Sequence, residues 1–192
     1  MPHVHAMRRV IVIGCPGAGK STFARQLGRI LDTEITHLDR LYWRPGWVRT
    51  PQTEWEALQR AALAGERWII DGNYGSTLHL RLAAADTVIF LDFPRALCLG
   101  RFVRRALLAR WTPRPDMADG CHERFSLELA RFIWRFRRDK RPGILRQLLA
   151  LPPERGVVWL TSPRQARRWL AALPRAPRPV GGAAAGAQPP ST

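Results

Sequence analysis

The chain has 192 residues, 46% of them hydrophobic, which suits one α/β domain with a buried core and excludes an intrinsically disordered chain. No apolar run reaches the about 20 residues that a membrane span needs, and the cysteines (Cys15, Cys98 and Cys121) are too few and scattered for a disulfide framework, so we expect a cytoplasmic protein. The formal net charge of +16 favours polyanionic partners such as nucleotides or nucleic acid, although a GC-rich genome would also supply arginine in excess.

The first half of the chain alternates predicted strands with predicted helices. The first strand is short, β-branched and buried, and the second ends at Asp39. Thr53 with Glu56 three positions later has the capping-box pattern of a helix start. The predicted elements, in chain order, are a strand at 8–13, a helix at 20–31, a strand at 34–38, a loop at 40–52 and a helix at 53–64.

The second half continues the alternation, which predicts a parallel sheet covered by helices on both faces. Ligands of such sheets bind beyond the carboxyl ends of the strands. We expect one domain over 8–173, with a disordered start at 1–7 and a disordered tail at 174–192. The predicted elements are strands at 68–70, 87–91 and 157–160, helices at 95–110, 122–140 and 163–173, another helix from Pro142, and a loop or lid at 111–121.

Residues 14–21 read GCPGAGKS and fit the phosphate-binding pattern G-x-x-x-x-G-K-[ST] between the first strand and the first helix. The glycines let backbone N–H groups point at phosphate oxygens, and the helix N-terminus adds its positive dipole end. We expect Lys20 to reach the β- and γ-phosphates and Ser21 to ligate magnesium, which predicts ATP and Mg2+ as ligands. The expected nucleotide-binding residues of this loop are Gly14, Pro16, Gly17, Ala18, Gly19, Lys20, Ser21 and Thr22.

Two aspartates are candidates for a second magnesium-organising group. Asp71 ends the apolar strand at 68–70, and Asp92 ends the apolar strand at 87–91. Either carboxylate could hold the metal, directly or through water. Each could instead be a helix cap or a turn residue. The pattern favours Asp71 and leaves Asp92 as the alternative.

An arginine stripe lies on the predicted helix at 122–140. Residues of a helix advance by about 100° each, which separates these arginines from the apolar stripe of the same helix. The stripe is either a solvated face or a source of side chains that neutralise a transferred phosphoryl group. Its members are Arg124, Arg131, Arg135 and Arg138.

Three further stretches are distinctive: 37–47 (HLDRLYWRPGW), 68–74 (WIIDGNY) and 114–117 (RPDM). Together with the P-loop they resemble the adenylate-kinase-like branch of P-loop kinases, and within it the bacterial DNA topology modulation proteins of the FlaR type. The resemblance extends over about residues 8–172. It implies the three-layer α/β sandwich of P-loop NTPases, with a five-stranded parallel sheet in the order 2-3-1-4-5 and a helical lid insertion.

The resemblance also implies roles for individual residues. Asp71 with the glycine after it matches the Asp-Gly that follows the third strand of adenylate kinases. Arg101 resembles their arginine that stacks on the ATP base, and Arg105 resembles a lid arginine. Arg131 is the nearest match to their arginine on the helix after the lid. With the P-loop residues and with Asp39, the catalytic set we expect is Lys20, Asp39, Asp71, Arg105 and Arg131, with Ser21 and Asp71 at the metal.

The sequence departs from adenylate kinases after the first helix. Those enzymes carry a threonine-containing acceptor motif there, whereas this chain has Asp39, a carboxylate that could orient or deprotonate a hydroxyl acceptor. We therefore expect a monomeric ATP-dependent phosphotransferase whose acceptor is a small nucleotide or hydroxyl compound. The alternatives are a nucleotide-dependent DNA-associated regulator, suggested by the charge and the family name, and a simple NTPase.

Overall fold

The computed structural model describes residues 7–108, 120–121 and 125–174. Almost all of the predicted disordered start (1–7), the lid (111–121) and the disordered tail (174–192) lies outside the described residues. Arg124 of the arginine stripe lies outside them as well. None of the helices within the described ranges is long and apolar enough to cross a membrane.

The main sheet has five parallel strands, and their order confirms the predicted 2-3-1-4-5 arrangement. A separate short antiparallel hairpin pairs Trp43–Arg44 with Val48–Arg49. The main strands are β1 (Arg9–Gly14), β2 (Ile35–His37), β3 (Trp68–Asp71), β4 (Thr87–Leu91) and β5 (Gly156–Leu160).

The central strands are buried because both faces of the sheet are covered. Every residue of β3 and β4 is buried, as is all of β1 after its first residue. Strands buried on both faces carry continuous apolar runs rather than alternating ones, which is the pattern that identified them in the sequence. β5 lies at the edge of the sheet and alternates, with Val157 and Trp159 each 39% exposed.

Eight helices are described, and most agree with the predicted ones to within a few residues. α1 has the predicted bounds, and its buried face consists of small and apolar residues that pack on the sheet. The helices are α1 (Lys20–Leu31), α2 (Leu38–Tyr42), α3 (Gln52–Leu63), α4 (Leu78–Ala84), α5 (Arg95–Leu108), α6 (Leu127–Asp139), α7 (Arg141–Leu149) and α8 (Pro163–Ala171).

Three predicted boundaries are wrong, and the segment 40–52, predicted to be a loop, contains the end of α2 and the short hairpin. β2 ends at His37, and Asp39 lies on the short helix α2 rather than at a strand end. α3 begins at Gln52 with no side-chain cap, so the capping box at Thr53 does not form. α6 begins at Leu127 and not near 122, because the Ser126 hydroxyl accepts a hydrogen bond from the N–H of Leu129 and caps the helix there.

The carboxyl ends of the strands meet at one edge of the sheet. Val12 of β1 is in register with Asp71 of β3, and Gly14 is in register with Leu91 at the end of β4. His37 at the end of β2 is in register with Asp71. The P-loop therefore leaves the sheet between the strand ends that carry Asp71 and Asp92.

Candidate nucleotide and acceptor site

The P-loop turns back on itself before α1 begins. Gly17 (φ +83°) and Gly19 (φ +92°) adopt left-handed backbone conformations that residues with a side chain rarely take. The N–H of Ala18 donates to the carbonyl of Cys15 at 3.0 Å and closes the turn. A Cβ at Gly17 would lie 2.2 Å from the carbonyl oxygen of Cys98 on α5. Backbone conformation and packing therefore both require the glycine at position 17.

The N-terminus of α1 faces this loop. Gly19 occupies the N-cap position, and no side chain of the described residues caps the helix. The N–H groups of the first turn are then open to an anion, which the helix dipole also favours. Lys20 folds back over the loop with its Nζ 3.4 Å from the carbonyl oxygen of Cys15. Ser21 beside it is half-buried, and Thr22 is exposed.

The structure brings one predicted arginine directly to the P-loop. The guanidinium of Arg101 donates to the carbonyl of Ala18 at 2.9 Å and lies 5.8 Å from the centre of the Phe93 ring. Arg105, one turn further along α5, has its guanidinium 5.9 Å from the centre of the Phe102 ring.

Arg131 is placed differently. It is exposed on α6, two residues before Ile133, whose carbonyl contacts the Cys15 thiol of the P-loop at 3.9 Å. Among the described residues, no hydrogen bond or ring contact joins Arg131 to the P-loop.

Asp71 has one carboxylate oxygen without a partner. The residue is 4% exposed, and its Oδ2 lies 2.9 Å from Nδ1 of His37. Its buried Oδ1 has no hydrogen-bond partner among the described residues, and neither has the Oδ1 of Asn73 two positions on. A buried oxygen left unpaired costs free energy, and a ligand that coordinates it or donates to it removes that cost. Asp71 is therefore poised for a ligand at the carboxyl edge.

Asp92 is occupied by protein groups. Both of its carboxylate oxygens accept from Nε of Arg141, at 3.0 and 2.9 Å, and the indole N–H of Trp159 donates to Oδ2 at 3.0 Å. The hydrogen bonds with Asp92 raise the pKa of Arg141 above its ordinary value. These contacts make Asp92 a link between β4, β5 and α7 and favour Asp71 over it as a metal-organising group.

Asp39 lies at the same end of the sheet and pairs with a tyrosine. The hydroxyl of Tyr74 donates to Oδ1 of Asp39 at 2.7 Å. Burial, and then the charge of Asp39, raise the pKa of Tyr74, so the phenol stays protonated and remains the donor. The pair joins α2 to the segment that follows β3, and Asp71 is the last residue of that strand.

Aromatic rings surround this pair. Tyr42, Trp55 and Tyr74 have ring centres 4.6 to 5.0 Å apart, and Trp55 is only 1% exposed. Trp43 and Trp47 in the hairpin are half-buried, with ring centres 5.3 Å apart. Tyr42 and Trp55 therefore pack against the ring of Tyr74 and fix its position, while Trp43 and Trp47 remain partly open to solvent.

A fully buried arginine supports the segment after β3. Arg81 on α4 donates to Gln59 at 2.7 Å and to the carbonyls of Asn73 and Tyr74 at 3.2 and 3.1 Å. Burial lowers the pKa of Arg81 to about 10, so it stays charged at neutral pH. Gln59 in turn donates to Thr77 at 2.7 Å. This network fixes the backbone that presents Asp71 and Tyr74.

Three of these residues were missed from the sequence: His37, Tyr74 and Arg81. His37 and Tyr74 lie in the distinctive stretches at 37–47 and 68–74. His37 and Asp71 are the last residues of two adjacent parallel strands, and this could have suggested that their side chains meet. Arg81 gave no usable signal, because one arginine in a short helix is usually a surface residue.

No known protein family matches the sequence, and no curated protein matches it either. Among solved structures, shikimate kinase from Acinetobacter baumannii in complex with shikimate is similar with a TM-score of 0.53 and 17% identity, over 86% of this chain and 90% of that one. Shikimate kinase from Bacteroides thetaiotaomicron gives a TM-score of 0.52 and 16% identity, over 86% and 95%. At this identity the similarity shows the fold alone, which the chain shares with these two kinases.

Proposed function

We propose that this protein is an ATP-dependent phosphotransferase that transfers the γ-phosphoryl group to a hydroxyl of a small acceptor bound near Asp39. The observation that carries the proposal is the P-loop beside Asp71: an uncapped helix N-terminus with Lys20 folded over it, and a buried carboxylate oxygen without a partner on the neighbouring strand. The kinase fold of the two similar structures supports the same class of reaction.

Magnesium fits this site. The unpaired Oδ1 of Asp71 and the hydroxyl of Ser21 are the hard oxygen ligands that Mg2+ prefers, and the metal usually takes only one or two such groups besides phosphates and waters. Bound with the nucleotide, it would neutralise charge on the phosphate oxygens. His37 holds the other oxygen of Asp71 at 2.9 Å and so fixes the direction of the carboxylate.

The remaining residues bind and orient the reactants. Lys20 and the N–H groups of the P-loop hold the phosphates, and Arg101, fixed to the loop through Ala18, is placed to contact the nucleotide. Arg105 is the candidate to neutralise charge on the transferred group. Asp39 orients the acceptor hydroxyl and can take its proton, and Tyr74 fixes the position of that carboxylate.

The resemblance to the adenylate-kinase-like branch and to the FlaR-type proteins favours a small molecule as the acceptor. The sequence-based expectations of a cytoplasmic location and a monomer are part of the same proposal. Asp39 in place of a threonine-containing motif favours a hydroxyl compound over a nucleoside monophosphate. Arg131 is exposed on α6, and its role at the transferred group stays a prediction.

The test is a transfer screen with γ-labelled ATP against nucleosides, nucleoside monophosphates, sugars and hydroxy acids. Lys20→Ala should lower transfer by on the order of 100-fold, because it removes a charge at the phosphates. Lys140→Ala is the matched control, since the chain's other lysine is exposed between α6 and α7. Absence of transfer to every acceptor, with equal ATP affinity in the wild type and Lys20→Ala, would contradict the proposal.

A DNA-associated role is the second candidate, favoured by the net charge and by the exposed Arg131, Arg135 and Arg138 on α6. Binding through phosphate contacts weakens steeply as salt rises. A specific role requires in addition that ATP changes the affinity for DNA. Affinity that ATP does not change and that any equally basic protein matches would reject this candidate.

A further inference from the structure

A tryptophan in the short hairpin after α2 has a strained backbone. Trp47 has φ +65°, and among the described residues Asp32 is the only other non-glycine residue with a positive φ. Aspartate tolerates this left-handed region because its short side chain can bond to the local backbone, whereas a bulky residue rarely adopts it. Residues held under such strain cluster at binding and active sites, so the hairpin is a candidate binding element.

The base and the tip of the hairpin are both held by hydrogen bonds. At the base, the buried Thr50 donates from its N–H and from its hydroxyl to the carbonyl of Tyr42, at 2.9 and 2.8 Å. At the tip, the N–H of Gly46 donates to the carbonyl of Gly120 at 3.4 Å. These contacts hold the backbone on either side of Trp47, so the position of its ring follows from the fold.

Trp47 forms a ring pair with Trp43 beside the candidate acceptor carboxylate. The two indoles are half-buried, with ring centres 5.3 Å apart and planes inclined by 70°. Trp43 lies one helical turn after Asp39 and donates its N–H to the carbonyl of that residue, which places both on the same side of α2. The Trp43 ring centre is also 5.0 Å from that of Tyr42, which contacts the ring of Tyr74, the donor to Asp39. The ring pair and the carboxylate therefore belong to one cluster.

Two indoles beside a carboxylate favour a ligand that combines a ring with a hydroxyl group. The face of a ring packs on an indole, and a hydroxyl donates to a carboxylate, whereas an open-chain ligand offers no such face. Indoles also attract cations, but the exposed Arg40 and Arg49 next to the ring pair disfavour a cationic ligand. Arg44 of the hairpin is paired with Glu54. The chemistry of the cluster is therefore that of a site for an uncharged or anionic cyclic hydroxyl compound.

We propose that Trp43 and Trp47 determine acceptor specificity: the acceptor is a cyclic compound that stacks on these rings and places a hydroxyl at Asp39. This inference rests on the proposed function, because it identifies the class of compound that receives the phosphoryl group. A sugar ring and a nucleoside both supply a ring face with a hydroxyl, and the experiment below distinguishes them. Stacking limits the positions of the ring, and so it orients the hydroxyl before transfer.

The role of the rings is tested at Trp47, because asparagine tolerates a positive φ and Trp47→Asn removes the ring without adding strain. For the best cyclic acceptor of the transfer screen we expect KM to rise roughly tenfold and kcat to change by less than about threefold, since the ring binds the acceptor and takes no part in transfer. Trp47→Phe keeps a ring and should hold KM within about threefold. Trp134→Asn is the matched control, because it removes a tryptophan that is 48% exposed on α6. A merely structural Trp47 would lower the melting temperature and leave KM unchanged.

The acceptor class is tested by comparing cyclic compounds with open-chain ones, such as glucose with sorbitol and adenosine with ribitol, both in transfer and in saturation-transfer NMR. We expect cyclic compounds alone to bind and react, and the preferred member shows whether the ring is a sugar or a base. Cyclic compounds that bind to the wild type and not to Trp47→Asn, but receive no phosphoryl group, would support the stacking site and contradict the proposed function. Transfer to open-chain compounds as efficient as to rings, or no binding of any cyclic compound, would overturn the stacking site.

Discussion

The ends of β3 and β4 look alike in sequence and differ in structure. Each strand is a run of apolar residues that stops at an aspartate, and both aspartates lie at the carboxyl edge beside the P-loop. Asp71 keeps a buried oxygen without a partner among the described residues, whereas Asp92 is held by Arg141 and Trp159. The strand pattern therefore locates two candidate carboxylates. Only the side chains around them show that Asp71 is the candidate ligand site and that Asp92 is a structural link.

The difference arises from what covers each strand end. α7 and the edge strand β5 bring a guanidinium and an indole N–H to Asp92, so its charge is balanced within the protein. Asp71 lies between β1 and β2, where His37 supplies one contact and leaves the second oxygen open. A balanced carboxylate contributes to stability, and an open one costs stability until a ligand binds.

The largest effect should follow from Asp71→Asn. The change removes the negative charge offered to magnesium, and we expect phosphoryl transfer, or ATP hydrolysis if no acceptor is identified, to fall on the order of 100-fold. Asp92→Asn should leave the rate per folded molecule within about twofold. Steady-state kinetics at saturating Mg2+ measure both variants. Equal losses of activity would remove the distinction between the two strand ends.

The opposite order is expected for stability. Asp92→Asn weakens the ion pair between Asp92 and Arg141, whose side chains are 7% and 22% exposed, respectively. We expect a loss of about 2 kcal/mol in the free energy of unfolding. Asp71→Asn should change stability by less than about 1 kcal/mol, because its unpaired oxygen contributes little. Urea unfolding monitored by circular dichroism provides both values. A larger loss in Asp71→Asn would contradict this assignment.

The sequence predicted the position of the P-loop better than the position of Asp39. The P-loop is a local motif whose glycines and lysine are close in sequence, so its geometry follows from a short segment. Asp39 was predicted at a strand end but lies on α2, because β2 stops at His37. The contact Asp39–Tyr74 joins distant segments, and without the packed fold no spacing in the sequence indicates it.

A third, smaller effect tests the Asp39–Tyr74 pair, which we propose lies at the acceptor. Tyr74→Phe keeps the packed ring but removes the hydroxyl that donates to Asp39 at 2.7 Å. We expect a loss of about 1.5 kcal/mol in unfolding free energy, since a hydrogen bond to a charged group is removed and Asp39 loses a donor. Tyr42→Phe is the matched control in the same aromatic cluster. ATP affinity should not change in either variant. A change in ATP affinity that occurs only in Tyr74→Phe would mean that the Asp39–Tyr74 pair acts on the nucleotide and not on the acceptor.

The smallest effect distinguishes the two contacts that hold Asp92. Trp159→Phe removes the indole N–H but keeps an aromatic ring near Phe90 and under the guanidinium of Arg141, whose Cζ lies 5.5 Å from the ring centre. Because Trp159 is 39% exposed and Arg141 still balances Asp92, we expect a loss of only about 0.5 kcal/mol. Combined with Asp92→Asn, the two losses should be less than additive, since both act on the same carboxylate. Full additivity in urea unfolding would mean that Trp159 stabilises β5 independently of Asp92, and the end of β4 would then depend on Arg141 alone.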